Sequence, residues 1–545
     1  MQRAMNRDRV RGFLKARGRD LVNEQGEEVL LCGWGLGNWL LCEGYMWDLG
    51  ELSEFDRPRR MEKTIEHLCG SRYSQRFWRR FQDEFIAEED IRLMAELGYN
   101  SLRLPMRAGL LMDENETEPV FLESGFQRID QLLAWAEKYR VYVFLDLHAA
   151  PGGQTGANID DSLDDECGLF MDDGKYELGL SLWEEIARRY ADRWIVGGYD
   201  LLNEPIRPVR FEGDRDLDVY IPRLREFYRD ATARIRKWDS KHLIAYESPH
   251  WATEADFFDR VYDPNMVIHF HRYGCAPDIG SLQPFLDAGE RLNVPLWLGE
   301  TGENTKTWIG AMVPLALECG ISVSLWPWKK MGDASPCIVR RPVGWNKFRD
   351  CVAGRNEMTA EEVQAILDRL LELIPVSACV QHPEVTTQVF RTPGCILRGT
   401  DFDTARGNEK AWHAEGEHPS GCYRKETGLE IVDPENPDRK DFVFDGPWNR
   451  SRLRLHEGEW AEFTMNGIDI CAQVEVVCLS TGESRVSVSQ NETLLNRFDV
   501  SDCEYSQTLS GMSLFSCDSC RIRVSCDQGS VLLERVEIRP SPEYT

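Results

Sequence analysis

The chain has 545 residues and carries 64 Lys and Arg against 92 Asp and Glu, a formal net charge of −28. This excess of negative charge argues against a nucleic-acid partner, which needs clustered basic residues, and against an anionic membrane surface. The hydrophobic fraction of 42% is that of an ordinary globular protein, so a chain that is disordered throughout is excluded.

The first residues and the cysteines bear on location. The N-terminal segment is charged and lacks an apolar core of about 7–15 residues, so we expect no secretory signal. No run of about 18 apolar residues occurs, which argues against a transmembrane helix. The 17 cysteines are odd in number and cannot all pair within one chain. We therefore expect reduced thiols and a cytoplasmic protein.

From Glu28 to about Ile374, short apolar runs alternate with amphipathic segments. The predicted strands are Val29–Gly35, Ser101–Pro105, Val141–His148, Gly198–Glu204, Leu243–Glu247, Met266–His271, Pro295–Glu300 and Ser322–Trp328. Most are nearly continuous in apolar residues, which is typical of parallel strands buried on both faces. Eight such strands alternating with helices predict a (β/α)₈ TIM barrel. An open doubly wound sheet is the alternative, but no Gly-rich phosphate loop follows the first strand.

After Pro375 the pattern changes. The stretch Val376–Arg391 has no helical period, which favours a connector or an edge strand. From Leu397 to Pro540 apolar and polar residues alternate, which predicts an antiparallel β-sandwich. We therefore divide the chain into a barrel domain at residues 1–375, a connector at 376–396 and a β-sandwich domain at 397–545.

Polar and ionisable side chains recur near the ends of six predicted barrel strands. They are Arg103, His148, Asn203, Glu204, His271, Tyr273, Glu300 and Trp326. Because (β/α)₈ enzymes carry their catalytic groups at the carboxyl ends of the strands, this recurrence favours an active site over scattered structural polar groups. His269 shares a strand face with His271 but lies one layer deeper, so we assign it to the core.

Two carboxylates among these residues, Glu204 and Glu300, belong to strands on different sides of the barrel mouth. A pair of carboxyl groups, one ionised and one protonated, is the apparatus of glycoside hydrolysis. We expect Arg103 to keep Glu300 ionised, and the nearby negative charge to keep Glu204 protonated. The alternative is a structural ion pair with Arg103.

The segments LLNEP at Leu201–Pro205 and LWLGETG at Leu296–Gly302 resemble the two catalytic strands of glycoside hydrolase family 5, a family of retaining (β/α)₈ glycosidases. The resemblance implies that Glu204 is the general acid/base and Glu300 the nucleophile. It also implies substrate-binding or orienting roles for Arg103, His148, Asn203, His271, Tyr273 and Trp326. The mechanism requires no metal and no cofactor, and the partner is a carbohydrate substrate.

Two long connections are expected to set the specificity. The first, Gly37–Ile86, carries Trp39, Tyr45, Trp47, Tyr73 and Trp78. The third, Ala149–Gly179, follows His148 and with it gives the stretch HAAPGGQTG. Both resemble exo-acting β-glucanases and glucosidases of the family more than open-cleft endocellulases. We expect exo action on β-linked glucosides or short oligosaccharides. The alternatives are another family 5 specificity (β-mannosidase, endo-β-glucanase, arabinofuranosidase or galactofuranosidase) and an inactive carbohydrate-binding protein, against which the intact Glu204 and Glu300 argue.

The C-terminal region resembles the carbohydrate-binding β-sandwiches of families 6 and 35 in the stretches GTDFDTARGNEKAWHAEG, LHEGEWAEFTM and LLERVEIRP. The candidate sugar-binding aromatics are Trp412, Tyr423 and Trp448, and a non-binding accessory domain is the alternative. The acidic loop Ile159–Gly174 lacks an EF-hand pattern, so we expect it to be solvated rather than to bind calcium. The sequence leaves the oligomeric state open.

Overall fold

The computed structural model describes residues 7–116, 118–332, 335–406, 409–468 and 472–540. The chain divides into two compact units. The first takes in the chain up to Arg272, then Pro284–Thr301 and Gly320–Gln381, and the second takes in Tyr273–Gln283, Gly302–Cys319 and the chain from His382 onwards. The chain therefore passes between the units five times. The boundary predicted at residue 375 places Tyr273–Gln283 and Gly302–Cys319 in the barrel domain. The structure groups these two segments with the C-terminal region instead.

The first unit is built around eight parallel strands that, in the described part of the chain, close into a barrel. They are Cys32–Gly35 (β1), Ser101–Arg107 (β2), Tyr142–Ala149 (β3), Val196–Asp200 (β4), Leu243–Glu247 (β5), Met266–Arg272 (β6), Leu296–Gly302 (β7) and Ser322–Trp326 (β8). The barrel closes where β8 pairs with β1, with Val323 opposite Cys32. The predicted (β/α)₈ barrel is confirmed.

Helices connect most of these strands. Between β1 and β4 the structure has Pro58–Cys69, Ser71–Glu84, Glu88–Glu96, Ala108–Leu111, Glu123–Tyr139, Gly168–Met171 and Asp173–Tyr190. After β4 it has Ile221–Arg236, Pro249–Ala252, Ile279–Leu292, Lys306–Glu318, Trp345–Val352 and Ala360–Leu373. Side chains fix where some of them begin. The Thr359 hydroxyl accepts the N–H of Glu362, whose carboxylate accepts the N–H of Thr359, which completes a capping box.

The second unit contains two large antiparallel sheets in its described residues. One has the strands Ile396–Arg398, Glu430–Val432, Arg452–His456, Gln473–Ser480, Gln507–Ser513 and Ser530–Arg539. The other has Trp412–His413, Trp460–Ile468, Ser484–Gln490, Thr493–Val500 and Cys517–Gln528. Both sheets contribute to one buried apolar cluster, for example Val476 and Leu533 from the first and Phe463 and Val524 from the second. This arrangement is the predicted antiparallel sandwich.

The prediction of a connector or an edge strand at Val376–Arg391 is right only in part, because Val380–Gln381 forms the edge strand of a small three-stranded sheet. The stretch Val376–Arg391 contains a helix at Pro383–Phe390, which begins with Pro at its first position. Its buried Val385 and Val389 lie one turn apart and face the helix Lys306–Glu318, which belongs to the same unit. Its Val and Thr residues have low helix propensity, so tertiary packing rather than propensity determines this helix.

Among the described residues, no helix combines the length and the apolar character that crossing a bilayer requires.

Candidate active site

Arg103, in β2, organises a buried polar layer at the carboxyl end of the barrel. Its Nε donates to Asp200 at 2.8 Å, and its Nη2 donates to Asn203 Oδ1 at 2.8 Å and to Glu247 Oε1 at 3.1 Å. Its Nη1 contacts a carboxylate oxygen of Glu300. Burial opposes the charge, but the surrounding carboxylates raise the pKa of Arg103 well above its ordinary value. Arg103 is therefore a permanent cation that fixes residues from β4, β5 and β7.

Glu204 and Glu300 meet across one imidazole. His271 Nδ1 lies 2.7 Å from Glu204 Oε1 and 3.6 Å from Glu300 Oε2. One oxygen of each carboxyl group and a nitrogen of His271 all lie within 4.8 Å of one another. The structure thus brings together the two predicted catalytic carboxyl groups, with His271 beside Glu204 as expected from the resemblance.

The acid–base character of Glu204 follows from its surroundings. Burial raises its pKa to about 7, and the nearby His148 and Arg103 oppose this shift. The direction is the one that the sequence analysis expects, but the main cause is loss of hydration rather than a neighbouring negative charge. A carboxyl group with this pKa can both donate and accept a proton near neutral pH.

Two neutral imidazoles connect Glu204 to a buried carboxylate. Burial lowers the pKa of His269 and of His271, whose Nε2 atoms are 3.0 Å apart. His269 Nδ1 lies 3.0 Å from Asp200, which remains ionised because His269 and Arg103 outweigh burial and lower its pKa to about 2. The negative charge of Asp200 beside Nδ1 favours the His269 tautomer with its proton on Nδ1, and His271 then carries its proton on Nε2. His271 Nδ1 is then left to accept the carboxyl proton of Glu204. As predicted, His269 lies in the layer below.

Glu247, the last residue of β5, also belongs to the site, although it is not among the predicted site residues. Its Oε2 accepts the backbone N–H of Glu204 at 2.7 Å, and its Oε1 lies 3.2 Å from His269 Nδ1. Glu204 has a φ of 40°, in the left-handed region. Such a conformation costs on the order of 1–3 kcal/mol and persists only where the surroundings impose it. Burial raises the pKa of Glu247 well above its ordinary value. The available signal was its position at the end of a predicted strand.

Trp326, at the end of β8, lies parallel to His148 of β3, with ring centroids 5.4 Å apart and 5° between the planes. Trp326 Nε1 donates to the hydroxyl of Tyr45 at 2.9 Å, and His148 Nδ1 lies 2.7 Å from Asp146 Oδ2. Burial lowers the pKa of His148 to about 4, so the ring is neutral. A Cβ at Gly35 would lie 2.4 Å from the Trp326 ring, so only glycine leaves room for this indole.

Tyr273 follows β6 directly and belongs to the second unit. Its ring stacks on Phe444 with centroids 5.2 Å apart, and Asn304 Nδ2 donates to the carbonyl of Phe444 at 3.0 Å. Its role as an orienting residue for Glu300 stays a prediction.

The aromatic side chains of the first connection have different environments. Tyr45 is 42% exposed, whereas the other four are buried: Trp39, Trp47, Tyr73 and Trp78. Trp47 stacks on Phe81 and on Trp345 with centroid distances of 5.2 Å and 6.1 Å. The long connection therefore has an aromatic core of its own, and Tyr45 is the member of this set that can contact a ligand.

The acidic stretch Ile159–Gly174 is solvated in part, as predicted, because Asp164, Asp165, Asp172 and Asp173 are exposed, but its first two carboxylates are not. Asp160 is fully buried and accepts backbone N–H groups from Gln154 at 2.9 Å and Ser162 at 2.8 Å. Asp161 is also buried and pairs with Arg59 at 3.1 Å. These carboxylates are structural acceptors for a loop that folds back on itself, which a run of acidic letters does not reveal.

The proposed sugar-binding aromatics of the sandwich are also mostly internal. Trp412 and Tyr423 belong to the buried cluster between the sheets, with exposures of 8% and 2%. Trp448 is partly buried against the same cluster. The interpretation of Trp412 and Tyr423 as ligand platforms is therefore wrong, because both rings complete the sandwich core.

Comparisons with known proteins agree with the barrel. Residues 63–332 match the cellulase family model, glycosyl hydrolase family 5. A β-xylosidase from Phanerodontia chrysosporium is 29% identical over 246 residues, which cover 45% of this chain and 48% of the relative. Endoglucanase C from Acetivibrio thermocellus is 24% identical over 313 residues, 48% of this chain and 89% of the relative. A glucan 1,3-β-glucosidase from Candida oleophila is 29% identical over 222 residues, 38% of this chain and 48% of the relative. The chain thus spans about half the length of two of these relatives.

Proposed function

We propose that the protein, whose residues 63–332 match the glycosyl hydrolase family 5 model, hydrolyses β-glycosidic bonds with retention of configuration. The observation that carries the proposal is the approach of Glu204 and Glu300, one oxygen of each lying within 4.8 Å of the other. Retaining glycosidases hold their carboxyl groups about 5–5.5 Å apart, and inverting ones about 6.5–9.5 Å to admit a water molecule. The closer spacing favours direct attack by a carboxylate on the sugar.

In the first step, Glu300 attacks the anomeric carbon while Glu204 gives its proton to the departing glycosidic oxygen. Arg103 keeps Glu300 in place and also holds Asn203 Oδ1. Asn203 then donates an N–H of its amide to the 2-hydroxyl of the sugar. In the second step, Glu204 accepts a proton from water, which attacks the glycosyl–enzyme ester and releases Glu300. Both roles are open to Glu204 because burial raises its pKa to about 7.

We propose that the enzyme acts from chain ends on β-linked glucosides and short glucose oligosaccharides. A closed pocket needs a continuous rim. In this protein the connection that follows β3 and the connection that follows β4 are linked by hydrogen bonds. Gln154 Nε2 donates to the carbonyl of Asn203 at 2.8 Å, Ile206 N–H donates to the carbonyl of Gln154 at 2.9 Å, and Arg207 N–H donates to the carbonyl of Thr155 at 2.8 Å. The similarity to a β-xylosidase and a glucan 1,3-β-glucosidase supports this choice. The similarity to endoglucanase C makes internal cleavage the alternative outcome.

The test is hydrolysis of a panel of aryl β-glycosides, followed by linear β-glucan tetrasaccharides. We expect aryl β-glucoside to be the best substrate, with the β-anomer as the first product seen by NMR. Glucose should be the first product from a tetrasaccharide. An α-anomer as first product would contradict retention, and disaccharides as first product would contradict end-on action while leaving the catalytic assignment intact.

Replacing Glu247 should impair the acid/base step selectively. Glu247→Ala removes the acceptor for the Glu204 backbone N–H, and a displacement of about 1 Å in a catalytic group can cost about 100-fold in rate. We expect kcat/KM to fall about 100-fold for alkyl β-glucosides, which need the acid, and much less for dinitrophenyl β-glucoside. Glu247→Gln retains an acceptor oxygen and should recover most of the loss. Equal losses with both classes of leaving group would show that Glu247 has only a structural role.

A further inference from the structure

Three side chains from separate segments of the second unit meet at one edge of its larger sheet. His418 lies in the connection before strand Glu430–Val432, Glu430 begins that strand, and His456 ends the neighbouring strand Arg452–His456. One potential ligand atom from each residue lies within 4.8 Å of the others. The backbone supports this meeting, because His418 N–H donates to the carbonyl of Gly428 at 2.9 Å and the two strands pair in antiparallel register.

The two imidazoles of the cluster lie nearly face to face. Their rings stack with centroids 4.4 Å apart and 25° between the planes. His456 Nε2 lies 2.8 Å from Glu430 Oε2, and the side chains of His418, His456 and Glu430 are 28%, 34% and 25% exposed. Neutral imidazole is the form that binds metals, and the partial exposure leaves a path for an ion to enter.

Further groups hold these three residues in place. Glu459 is fully buried, its Oε1 lies 3.1 Å from His418 Nε2, and its Oε2 accepts the N–H of His456 at 2.9 Å. Arg454 Nε donates to Glu430 Oε1 at 3.2 Å, which leaves Oε2 directed at the histidine. Outer carboxylates and hydrogen bonds of this kind orient ligands and tune affinity in metal sites.

We propose that His418, Glu430 and His456 bind a zinc ion. Two imidazole nitrogens and one carboxylate oxygen form a donor set that suits zinc, whereas calcium takes six to eight oxygen ligands. A water molecule completes the tetrahedron. Because the ligands come from three segments, the ion cross-links the connection before Glu430 to the edge of the sheet. This cross-link stabilises the second unit.

The test uses the full chain, stripped of metal by a chelator and titrated with Zn²⁺ alone by calorimetry. We expect one ion per chain and a higher Tm for the loaded protein. His418→Ala and His456→Ala should each weaken binding by more than about 100-fold, and Glu459→Gln by about 10–100-fold, the range seen for outer partners. His413→Ala is the matched control, because His413 lies in the same unit and pairs with Glu415 at 3.1 Å. Its affinity should equal that of the wild type.

The experiment also distinguishes the proposed site from other residues that can bind zinc. The barrel contains the group Glu247, His269 and His271, and the chain contains 17 cysteines. Unchanged zinc affinity in His418→Ala would place the ion elsewhere and overturn the proposal, as would the absence of binding in the wild type. Cobalt substitution gives a second readout, since a strong thiolate-to-cobalt charge-transfer band would assign the ion to cysteines. Glu430→Gln keeps the side-chain shape and should lose binding even if the alanine variants fail to fold.

Discussion

Glu300→Ala is expected to lower kcat on aryl β-glucosides by at least about 10⁴-fold, the scale on which removal of a nucleophile acts in other enzymes. Without this carboxylate no glycosyl–enzyme ester can form, and Arg103 loses the partner that it holds against the sugar. Glu300→Gln should lose activity to a similar extent, since the amide preserves the shape of the side chain but is not a nucleophile. The measurement is kcat for both variants under saturating substrate.

Azide provides the control for this assignment. With Glu300→Ala, a small external nucleophile can occupy the vacated space and attack the anomeric carbon directly, so the expected product is the α-glycosyl azide. A β-glycosyl azide, or a variant that keeps the wild-type rate, would rule out Glu300 as the nucleophile. Because removal of one partner from a buried ion pair destabilises by about 3–5 kcal/mol, Tm is measured alongside to exclude unfolding.

Glu204→Ala should produce a loss that depends on the leaving group. General acid catalysis contributes about 10²–10⁴-fold, so alkyl β-glucosides should react slower by that amount. Dinitrophenyl β-glucoside needs no protonation and should still form the glycosyl–enzyme rapidly. Azide should then accelerate turnover and give the β-glycosyl azide, the opposite anomer to that expected for Glu300→Ala. A loss that is equal for all leaving groups would contradict the role of Glu204.

The pH profile tests the same residue independently. Burial raises the pKa of Glu204 to about 7, and the first step needs the protonated form. As the pH rises through about 7 the proton is lost, so kcat/KM of the wild type should fall on the alkaline side. Glu204→Gln cannot lose this proton, and its residual activity should lack the alkaline limb. An alkaline limb that persists in the variant would assign the titration to another group.

The barrel could be predicted from the sequence because two local signals coincide. The strands are nearly continuous apolar runs, and the polar residues recur at the same end of successive runs, as at His148 and Glu300. Glu247 was not predicted because its importance comes from its hydrogen bond to the backbone N–H of Glu204, in the connection that follows the adjacent strand β4. The residue types of a single strand contain no information about that contact. The main cause of the raised pKa of Glu204 was not predicted for a related reason. The carboxyl group loses its hydration through tertiary packing, which the sequence does not show.

In the second unit, the sequence pattern predicted the sheets but not the surroundings of individual side chains. An aromatic residue in a β-rich region can face sugar or core with equal ease, and Trp412 and Tyr423 face the core. The helix Pro383–Phe390 was missed because its Val and Thr residues favour strands, and only its contact with Lys306–Glu318 makes it helical. The burial of Asp160 within the acidic loop was not predicted, because charge alone does not show that this carboxylate accepts backbone N–H groups.

The chain passes repeatedly between its two units, so neither unit is encoded by one continuous stretch of the gene. This restricts where the gene can be truncated or recombined. The segment Gly302–Cys319 lies in sequence between the strand that carries Glu300 and the strand that carries Trp326, yet it belongs to the second unit. A stop codon after Gln381 would remove Pro383–Phe390 and leave Lys306–Glu318 with an uncovered apolar face. The barrel is therefore not a cassette that recombination could exchange with a single junction. Engineered chimeras should transplant both units together.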